Sequence, residues 1–337
     1  MNTIFENFDL QLFAENYNVN TTVKDGTVNS AFAPTLKAFY DTELLENARA
    51  EMYYAQFAKK QPLPAGNGKT VEWRKWNTFA KANKLDEGVI PTGQNFGMTS
   101  LTSTIDQYGT YATVSDVLEL TTYDDIILGA TEEMGASAAE TQESLIRDAL
   151  KANMNVMYCD KSTGTAPTKE SELDATCLLT PAMVAKAATH LKKNRAPRIN
   201  GKYVAVIHPS VAHDLRQSEA WIDAHKYAGV TEIYNGEIGE LHGVRFIEST
   251  FAPVTSGGTG VVNYSTFFFG KDAFGIIDPD GGALEMIVKD KSQIGGPLNQ
   301  FSTIGYKFMT NGAKVLYPER LVNVMSRSTY SGIDVAN

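Results

Sequence analysis

The strongest periodic pattern of the chain lies between residues 122 and 157. Apolar side chains recur there every three or four residues, apart from one polar gap, which is the repeat of an amphipathic helix. They are Ile127, Ala130, Met134, Ala138, Leu145, Ala149, Ala152 and Val156. Thr122 and Asp125 resemble a capping box, whereas Gly129 and Gly135 weaken the first turns. About 35 residues at about 1.5 Å each predict one helix of roughly 50 Å, a spine on which other elements rest.

Two strand-like runs separated by a long polar excursion precede this helix. The first run contains Val71, Trp73 and Trp76, and the second extends over residues 99–114, which are rich in Thr, Tyr and Ile. The polar residues 81–97 between them include turn-forming glycine and proline. Two strands joined in this way predict an extended hairpin. Because it is too polar to bury and longer than ordinary connections, we expect it to pack on a neighbouring molecule.

Aromatic and basic side chains are interleaved along this hairpin. The ones that we expect to contact a neighbour are Trp73, Trp76, Phe79, Lys81 and Lys84. Such a pattern is also found where proteins bind single-stranded nucleic acids. The formal net charge of −9 and the pI near 5.2 favour a protein-contact arm, because phosphate binding depends on clustered Lys and Arg.

The first 34 residues have little core-forming pattern, apart from one apolar cluster on the tail. From this cluster, Phe8, Leu10, Leu12 and Phe13 are further candidates for contacts between subunits. A tail with such anchors and no core of its own usually lies on another surface, and the alternative is plain disorder. Residues 35–60 have helical spacing, and the prolines at 62 and 64 are expected to end that helix.

The second half of the chain begins with a polar linker at residues 160–176. Helices and strands then alternate. Thr180 and Pro181 predict a helix N-terminus, and Ser210 is expected to cap a shorter helix. Buried strands are predicted at residues 203–207, 244–248 and 261–269. From Leu284 onwards alternating apolar residues predict further strands, with a hairpin turn at Asn311-Gly312.

Known catalytic and binding motifs are missing or incomplete. Gly68-Lys69-Thr70 resembles the end of a phosphate-binding loop, but Leu63 stands where that loop needs glycine. The glycine-rich residues 257–260 precede a strand instead of a helix. The five histidines form no metal-ligand pattern, and no hydrolase nucleophile motif is present. We therefore predict no enzymatic activity, no catalytic residue, no cofactor and no metal site.

The cysteine content, the first 15 residues and the lengths of the apolar stretches indicate in which compartment the chain is expected to fold. Cys159 and Cys177 are too few for a disulfide framework in 337 residues, so we expect two reduced thiols and folding in the cytoplasm. Residues 1–15 lack the basic and apolar segments of a signal peptide. No stretch approaches the roughly 20 apolar residues of a membrane helix, so no membrane contact is predicted.

The order of these parts resembles the major capsid fold of tailed bacteriophages, the Hong Kong 97 type, over nearly the whole chain. Two stretches carry the likeness most specifically. Residues 7–14, Asn-Phe-Asp-Leu-Gln-Leu-Phe-Ala, are similar to the NLQLFA-like start of many phage capsid proteins, with Phe8-Asp9 as a departure. The stretch from Thr180-Pro181 to Gly243-Val244 is similar to the axial-domain segment of one major capsid family, often seen in phages of Firmicutes.

This resemblance implies an α+β fold in five parts. They are an N-terminal arm and helix (1–62), an extended β-hairpin loop (63–116), a peripheral domain with the long spine helix (117–176), an α/β axial domain (177–282) and return strands of the peripheral domain (283–337). It also implies a self-assembling subunit of an icosahedral phage head that encloses double-stranded DNA and is assembled in the host cytoplasm. The implied partners are further copies in hexamers and pentamers, with scaffolding, portal and decoration proteins, and no sequence-specific nucleic-acid binding.

Other functions stay open at this stage. The shell of an encapsulin-like compartment would share the fold, but the tail at residues 7–14 disfavours it. A hydrolase with an unrecognised site would need a cleft with strongly perturbed carboxylates. A monomeric surface protein is disfavoured because no signal peptide is predicted. Some relatives cross-link a hairpin lysine to a neighbour's asparagine, but nothing marks Lys69, Lys81 or Lys84 for this, so we expect no cross-link.

Overall fold

The structure is a computed structural model that describes residues 53–337, with gaps at 67, 83, 85–86, 89, 91, 123–125, 154, 220, 223–236, 259–260, 281–283, 295–297, 310–311 and 331–333. The chain divides into two units, Met1–Ala48 and Arg49–Asn337. The described residues all belong to the second unit. The predictions for the N-terminal arm and for the helix up to residue 52 therefore lie outside the described residues.

Fifteen strands and six α-helices are defined in the described residues. The strands are β1 Lys59–Leu63, β2 Thr70–Trp76, β3 Met98–Thr104, β4 Gln107–Ser115, β5 Val156–Tyr158, β6 Tyr203–Ile207, β7 Glu237–Leu241, β8 Val244–Glu248, β9 Val254–Gly258, β10 Val261–Phe269, β11 Phe274–Pro279, β12 Glu285–Lys289, β13 Phe301–Met309, β14 Lys314–Val315 and β15 Leu321–Ser326. The helices are α1 Tyr54–Phe57, α2 Asp116–Thr121, α3 Ile126–Lys151, α4 Pro181–Lys193, α5 Pro209–Gln217 and α6 Lys291–Ile294.

A seven-stranded mixed sheet holds the main core. Its strand order is β5-β15-β10-β6-β8-β7, and β9 pairs with β10. Alternate residues of β10 serve two clusters, because successive side chains of a strand point to opposite faces. Phe268 packs in the cluster that includes helices α4 and α5. Phe267 and Phe269 pack on the other face, where Ile146 and Leu150 of α3 cover the sheet.

Helix α3 links this sheet to a smaller one. The second sheet has the order β12-β13-β4 and is fully antiparallel. Its inner face places Tyr306 and Phe308 against Ala138 of α3. The first half of the helix therefore rests on the three-stranded sheet and its last turns on the seven-stranded sheet. This confirms the prediction that α3 is a spine for other elements.

The spine helix is shorter than the sequence pattern predicts. It has 26 residues and ends at Lys151, which gives a length of about 39 Å at about 1.5 Å per residue. Val156, expected on the helix, begins strand β5, which pairs in parallel with β15. The helix therefore ends before Val156 although the apolar spacing continues, because Val156 pairs with the buried strand β15. Thr122 is the C-cap of α2, and its expected partner Asp125 lies outside the described residues.

Two further boundary predictions are wrong. The helix predicted up to residue 60 is only the short α1 in its described part, and Lys59–Leu63 forms a strand parallel to the buried β11. The single run predicted over residues 99–114 is two strands in different sheets. Strand β3 pairs with β2, whereas β4 pairs with β13 over nine residue pairs. In both cases the boundaries of the strands depend on the strand with which each one pairs, and the local sequence does not specify that partner.

The return segment also departs from prediction at one turn. Strands β13 and β14 do not form the hairpin expected around Asn311-Gly312, because β14 pairs with β11 in a third sheet. The predicted alternation of Ile304, Tyr306 and Phe308 is confirmed, since all three are buried.

Residues 177–282, predicted as the axial domain and called the axial half below, follow the sequence pattern closely. The three predicted strands have the bounds of β6, β8 and β10, and Thr180 accepts a hydrogen bond from the backbone N–H of Met183 at the start of α4. One cap was misassigned. His208, not Ser210, is the N-cap of α5, and its Nδ1 accepts from the backbone N–H of Ser210 at 3.2 Å. The Ser210 hydroxyl donates instead to Asp334 Oδ2.

Candidate assembly surfaces

The base of the hairpin is anchored in its own chain through Trp73. Strands β2 and β3 pair from Thr70 with Thr104 to Trp76 with Met98. Trp73 is only 8% exposed and lies in a cluster with Leu63, Ile105, Ile277 and Leu316. Its ring lies against Gly275, where an added Cβ would come within 2.9 Å of it. The prediction that Trp73 lies on a contact surface is therefore wrong, because its ring is buried in the core beneath the hairpin.

Lys75, two residues further along β2, binds strand β2 to residues 317–319 near the C-terminal end of the chain. Its Nζ donates to Glu319 Oε1 at 2.7 Å and lies 4.3 Å from the ring centre of Tyr317. Arg320 covers the same ring at 3.7 Å. Burial alone would raise the pKa of Glu319, but the hydrogen bond and charge of Lys75 hold it below its ordinary value. These contacts hold the base of the hairpin in a fixed position on its own subunit.

Beyond this base, three aromatic rings form a stack that is open to solvent. The ring centres of Trp76 and Phe96 are 4.3 Å apart, and those of Phe79 and Phe96 are 5.2 Å apart. We call these three residues the aromatic stack. Trp76 is 60% exposed, Phe96 58% and Phe79 54%. Gln94 bonds both backbone groups of Ala80, so the two sides of the excursion stay together near the stack.

The remaining predicted contact residues divide into two groups. Lys81 and Lys84 are exposed beyond the aromatic stack. Phe8, Leu10, Leu12 and Phe13 lie outside the described residues and stay predictions. The sequence singled out Trp76 and Phe79 but missed Phe96. Its position opposite Trp76 across the polar excursion depends on the pairing of β2 with β3, which only a register argument could have found.

A buried carboxylate marks the point where the described chain begins. Glu143 of α3 is 1% exposed, and its Oε1 accepts from the backbone N–H groups of Tyr53 and Tyr54 at 2.6 and 2.7 Å. Burial raises the pKa of Glu143, although these hydrogen bonds oppose the shift. Glu143 was not predicted from the sequence. The polar gap of the predicted apolar stripe falls at residues 141–142, so the stripe gave no signal for Glu143, which shares the buried face of the helix with Ile146 and Leu150.

A polar cluster joins the C-terminal segment to the axial half. Asp334 Oδ2 accepts from the hydroxyl groups of Ser210 and Tyr264, both at 2.5 Å, and lies 3.9 Å from His208 Nδ1. Burial alone would raise the pKa of Asp334, but the two hydroxyl donors and His208 hold it below its ordinary value. Burial lowers the pKa of His208, against the pull of Asp334.

This cluster does not have the geometry of nucleophilic catalysis. In a hydrolase triad the serine hydroxyl would donate to a histidine that serves as its base. Here the Ser210 hydroxyl donates to Asp334, and His208 accepts from a backbone N–H group. Both side chains are buried. The arrangement therefore holds the C-terminal segment in place and leaves no free nucleophile.

The described ranges contain two free thiols but neither a cluster of metal ligands nor a membrane-spanning helix. In this part of the chain no three His, Cys, Asp or Glu side chains converge as metal ligands would. No helix among the described residues is both long and apolar enough to cross a membrane. Cys159 and Cys177 are free and buried, and burial raises the pKa of both thiols.

Comparisons with known proteins place the chain in one family. The family model described as phage capsid protein matches residues 99–310, which include the stretch from Thr180 to Val244 that carried the resemblance. No curated protein matches the chain.

Solved structures show the same fold. The capsid of the cyanophage P-SCSP1u is 17% identical, with a TM-score of 0.65, 92% of this chain and 100% of that chain covered. A structure from Mycobacterium phage Che8 is 19% identical, with a TM-score of 0.60 and coverage of 87% and 98%. The acid-stable capsid of Helicobacter pylori bacteriophage KHP30 is 10% identical, with a TM-score of 0.65 and coverage of 91% and 99%.

These likenesses confirm the predicted α+β fold of the Hong Kong 97 type. The family match extends over more than half of the chain and includes the spine helix, the axial half and strand β13. The chain belongs to the phage capsid protein family and is a major capsid protein, a structural subunit of the phage head.

Proposed function

We propose that this subunit builds its shell through the hairpin, as hexamers and pentamers of an icosahedral head around double-stranded DNA. The aromatic stack carries the proposal. Three large rings lie side by side in solvent just beyond the base of the arm, and this base is fixed by Trp73 and Lys75. Contiguous exposed apolar surface of this kind marks sites of protein association.

The paired strands give the arm a defined minimum length. Six residue steps separate the pair Thr70–Thr104 from the pair Trp76–Met98, which is about 20 Å at about 3.4 Å per step. The excursion at residues 77–97 continues beyond that point. We therefore propose that the intermolecular part of the hairpin is residues 76–97, a narrower segment than the predicted 63–116. Trp73 and Lys75 are held by the subunit itself.

Several finer roles belong to the same proposal. The acidic chain fits a shell that holds DNA without binding it tightly, because strong attraction to phosphates would hinder packaging and ejection. Assembly in the host cytoplasm with scaffolding, portal and decoration proteins follows the resemblance. A purely structural role fits the family match.

Replacement of residues 77–97 by a two-residue Asn-Gly turn tests the proposal. Trp73 and the strand pairs up to Trp76–Met98 remain, so we expect a folded subunit with an unchanged thermal unfolding midpoint. We expect no shells or capsomers in negative-stain microscopy and sedimentation, whereas the unaltered chain forms them. Shells from the truncated subunit would contradict the proposed role of the hairpin. Collapse of the truncated subunit would show that the excursion belongs to the core.

A further inference from the structure

One stretch at the start of the axial half has a charge opposite to that of the whole chain. Residues 175–213 contain six Lys and Arg residues and no Asp or Glu, although the formal net charge of the chain is −9. Helix α4 and strand β6 lie within this stretch. Most of its cations lie between these two elements, at the end of α4 and in the turn that follows it.

Two turns that are distant in the sequence bring further cations to the same place. Lys271 N donates to Pro197 O at 2.8 Å, and Arg320 Nη1 donates to Lys271 O at 3.3 Å. Asn194 Nδ2 also donates to Glu319 O at 3.2 Å. These contacts place three segments of the chain side by side. The basic patch consists of their six cations, Lys192, Lys193, Arg195, Arg198, Lys271 and Arg320.

The charges of the basic patch are open to other molecules. Five of its side chains are exposed, and Arg320 is half-buried over the ring of Tyr317. Among the described residues, none of the six cations forms an ion pair. The carboxylates of the same three segments are Asp272 and Glu319, and Glu319 already binds Lys75. Positive charge that is not compensated within the subunit attracts an anionic partner.

Arg195 has a backbone conformation that glycine would adopt at lower cost. Its φ is 53°, and its N–H donates to Lys192 O while Ala196 N donates to Leu191 O, both at 3.0 Å. This is the Schellman ending of helix α4, in which the left-handed residue is usually glycine. An arginine there costs stability relative to glycine. Backbone strain kept at an exposed side chain indicates that the side chain serves binding.

The composition of the basic patch favours phosphate groups over a protein surface. Protein interfaces have a core of large apolar side chains and are depleted in Lys. In the described chain, none of the exposed large apolar residues lies within residues 186–202, 270–272 or 318–320. A guanidinium group binds two phosphate oxygens through parallel N–H bonds. Duplex DNA carries a negative charge about every 1.7 Å along its axis, so several cations can bind it at once.

We propose that the basic patch binds the phosphate backbone of duplex DNA. This inference rests on the proposed function, from which it takes double-stranded DNA as the partner, and it names the surface of the subunit that contacts it. Binding is independent of base sequence, because phosphate contacts carry no sequence information. The rest of the chain is acidic, so the contact is weak and sensitive to salt, which leaves the DNA free to be packaged and ejected.

Arg195→Gly separates binding from folding. It removes the guanidinium group and relieves the backbone, so we expect the thermal unfolding midpoint to rise by about 2 °C. Fluorescence anisotropy of a labelled mixed-sequence duplex, titrated with the unassembled subunit, measures the binding. The dissociation constant should rise on the order of tenfold at about 50 mM salt, and the slope of log affinity against log salt should become less steep by about 0.9.

Lys186→Ala is the matched control. Lys186 lies on the same helix and its loss changes the net charge equally, but its side chain already binds Asp160. We therefore expect a salt slope close to that of the unaltered chain. Equal affinity and slope for Arg195→Gly and the unaltered chain would overturn the proposal. A lower yield of shells from Arg195→Gly at unchanged DNA affinity would also overturn it, because the basic patch would then bind an acidic surface of a second copy.

The truncated hairpin distinguishes a failure of this inference from a failure of the proposed function. The subunit without residues 77–97 keeps the basic patch, and Arg195→Gly should change its salt slope by the same amount. If the truncated subunit assembles normally while Arg195→Gly weakens DNA binding, the role of the hairpin fails and the DNA contact stands. If truncation abolishes assembly while Arg195→Gly binds DNA normally, the hairpin stands and the DNA contact fails.

Discussion

Two aromatic groups of this subunit have opposite environments. In strand β10 the side chains of Phe267, Phe268 and Phe269 are fully buried, each between elements of the same chain. In the hairpin, the rings of the aromatic stack are each more than half exposed and pack mainly on one another. The rings in β10 stabilise the subunit, whereas those of the hairpin are available to another molecule. Substitutions that separate folding from assembly can test this difference.

The largest effect on folding is expected in β10. Phe268→Ala should lower the free energy of unfolding of the unassembled subunit by about 3–5 kcal/mol, because the lost ring leaves a cavity between Phe246 and the helices above. Urea denaturation followed by fluorescence measures it. A loss below about 1 kcal/mol, similar to that of a surface substitution, would show that β10 is not the centre of the core.

A smaller loss is expected at the junction of the spine with residues 53–54. Glu143→Ala removes the acceptor of two buried N–H groups and should cost about 1–3 kcal/mol. Glu143→Gln keeps an acceptor and should cost less. The same denaturation experiment at pH 7 compares the two variants, and equal losses would contradict a role for the hydrogen bonds.

The pH dependence at Glu143 has a definite sign. Its pKa is raised in the folded state, so the folded protein binds a proton there more tightly than the unfolded chain does. Its contribution to stability is present below the ordinary glutamate pKa and is lost as the pH rises through the raised value. Stability should therefore decrease less from about pH 4 upward in Glu143→Gln than in the unaltered chain. Parallel pH profiles would exclude a raised pKa at this site.

The opposite sign is expected where the C-terminal segment meets the axial half. The pKa of Asp334 is lowered, so its stabilising effect is present above the ordinary aspartate value of about 4 and is lost as the pH falls through the lowered one. Neutral His208, whose pKa is also lowered, adds a loss that begins below about pH 6.5. Tyr264, which donates to this carboxylate, is the other ionisable group in contact with it, and the charge of Asp214 acts on Tyr264.

Asp334→Asn separates these two contributions. It removes the carboxylate while His208 stays, so we expect a weaker acid-induced loss of stability below about pH 4. The loss that begins below about pH 6.5 should become larger, because Asp334 no longer opposes the lowering of the pKa of His208 by burial. Thermal unfolding midpoints of the unassembled subunit between pH 3 and 7 measure both. If Asp334→Asn follows the unaltered profile at every pH, Asp334 does not anchor the C-terminal segment.

The sequence predicted best where local pattern and burial agree. Strands β6, β8 and β10 are continuous apolar runs between clear turns, and their bounds were predicted to the residue. The spine helix was predicted too long, because Val156 fits helical spacing equally well and its pairing with β15 is a tertiary contact. Strands β3 and β4 read as one run, since nothing local shows that each belongs to a different sheet.

The candidate surfaces were predictable only in part. Trp76 and Phe79 are exposed, as expected for aromatic residues in a polar segment, and their contact with another subunit stays a prediction. Trp73, three positions earlier, looks the same in sequence, and its burial depends on Gly275 and Leu316, which are distant in the chain. Glu143 and Asp334 were missed because their partners are backbone groups or hydroxyls more than 60 residues away.

The smallest effect on folding is expected in the aromatic stack. Phe96→Ala removes the ring between Trp76 and Phe79, yet should lower the free energy of unfolding by about 1 kcal/mol or less, because the ring is largely in water already. The yield of shells, measured by sedimentation, should fall much more than this loss explains. Phe268→Ala should show the reverse balance in those subunits that stay folded. If Phe96→Ala instead destabilises the isolated subunit as strongly as Phe268→Ala, both groups of rings stabilise the fold, and the aromatic stack is part of the core.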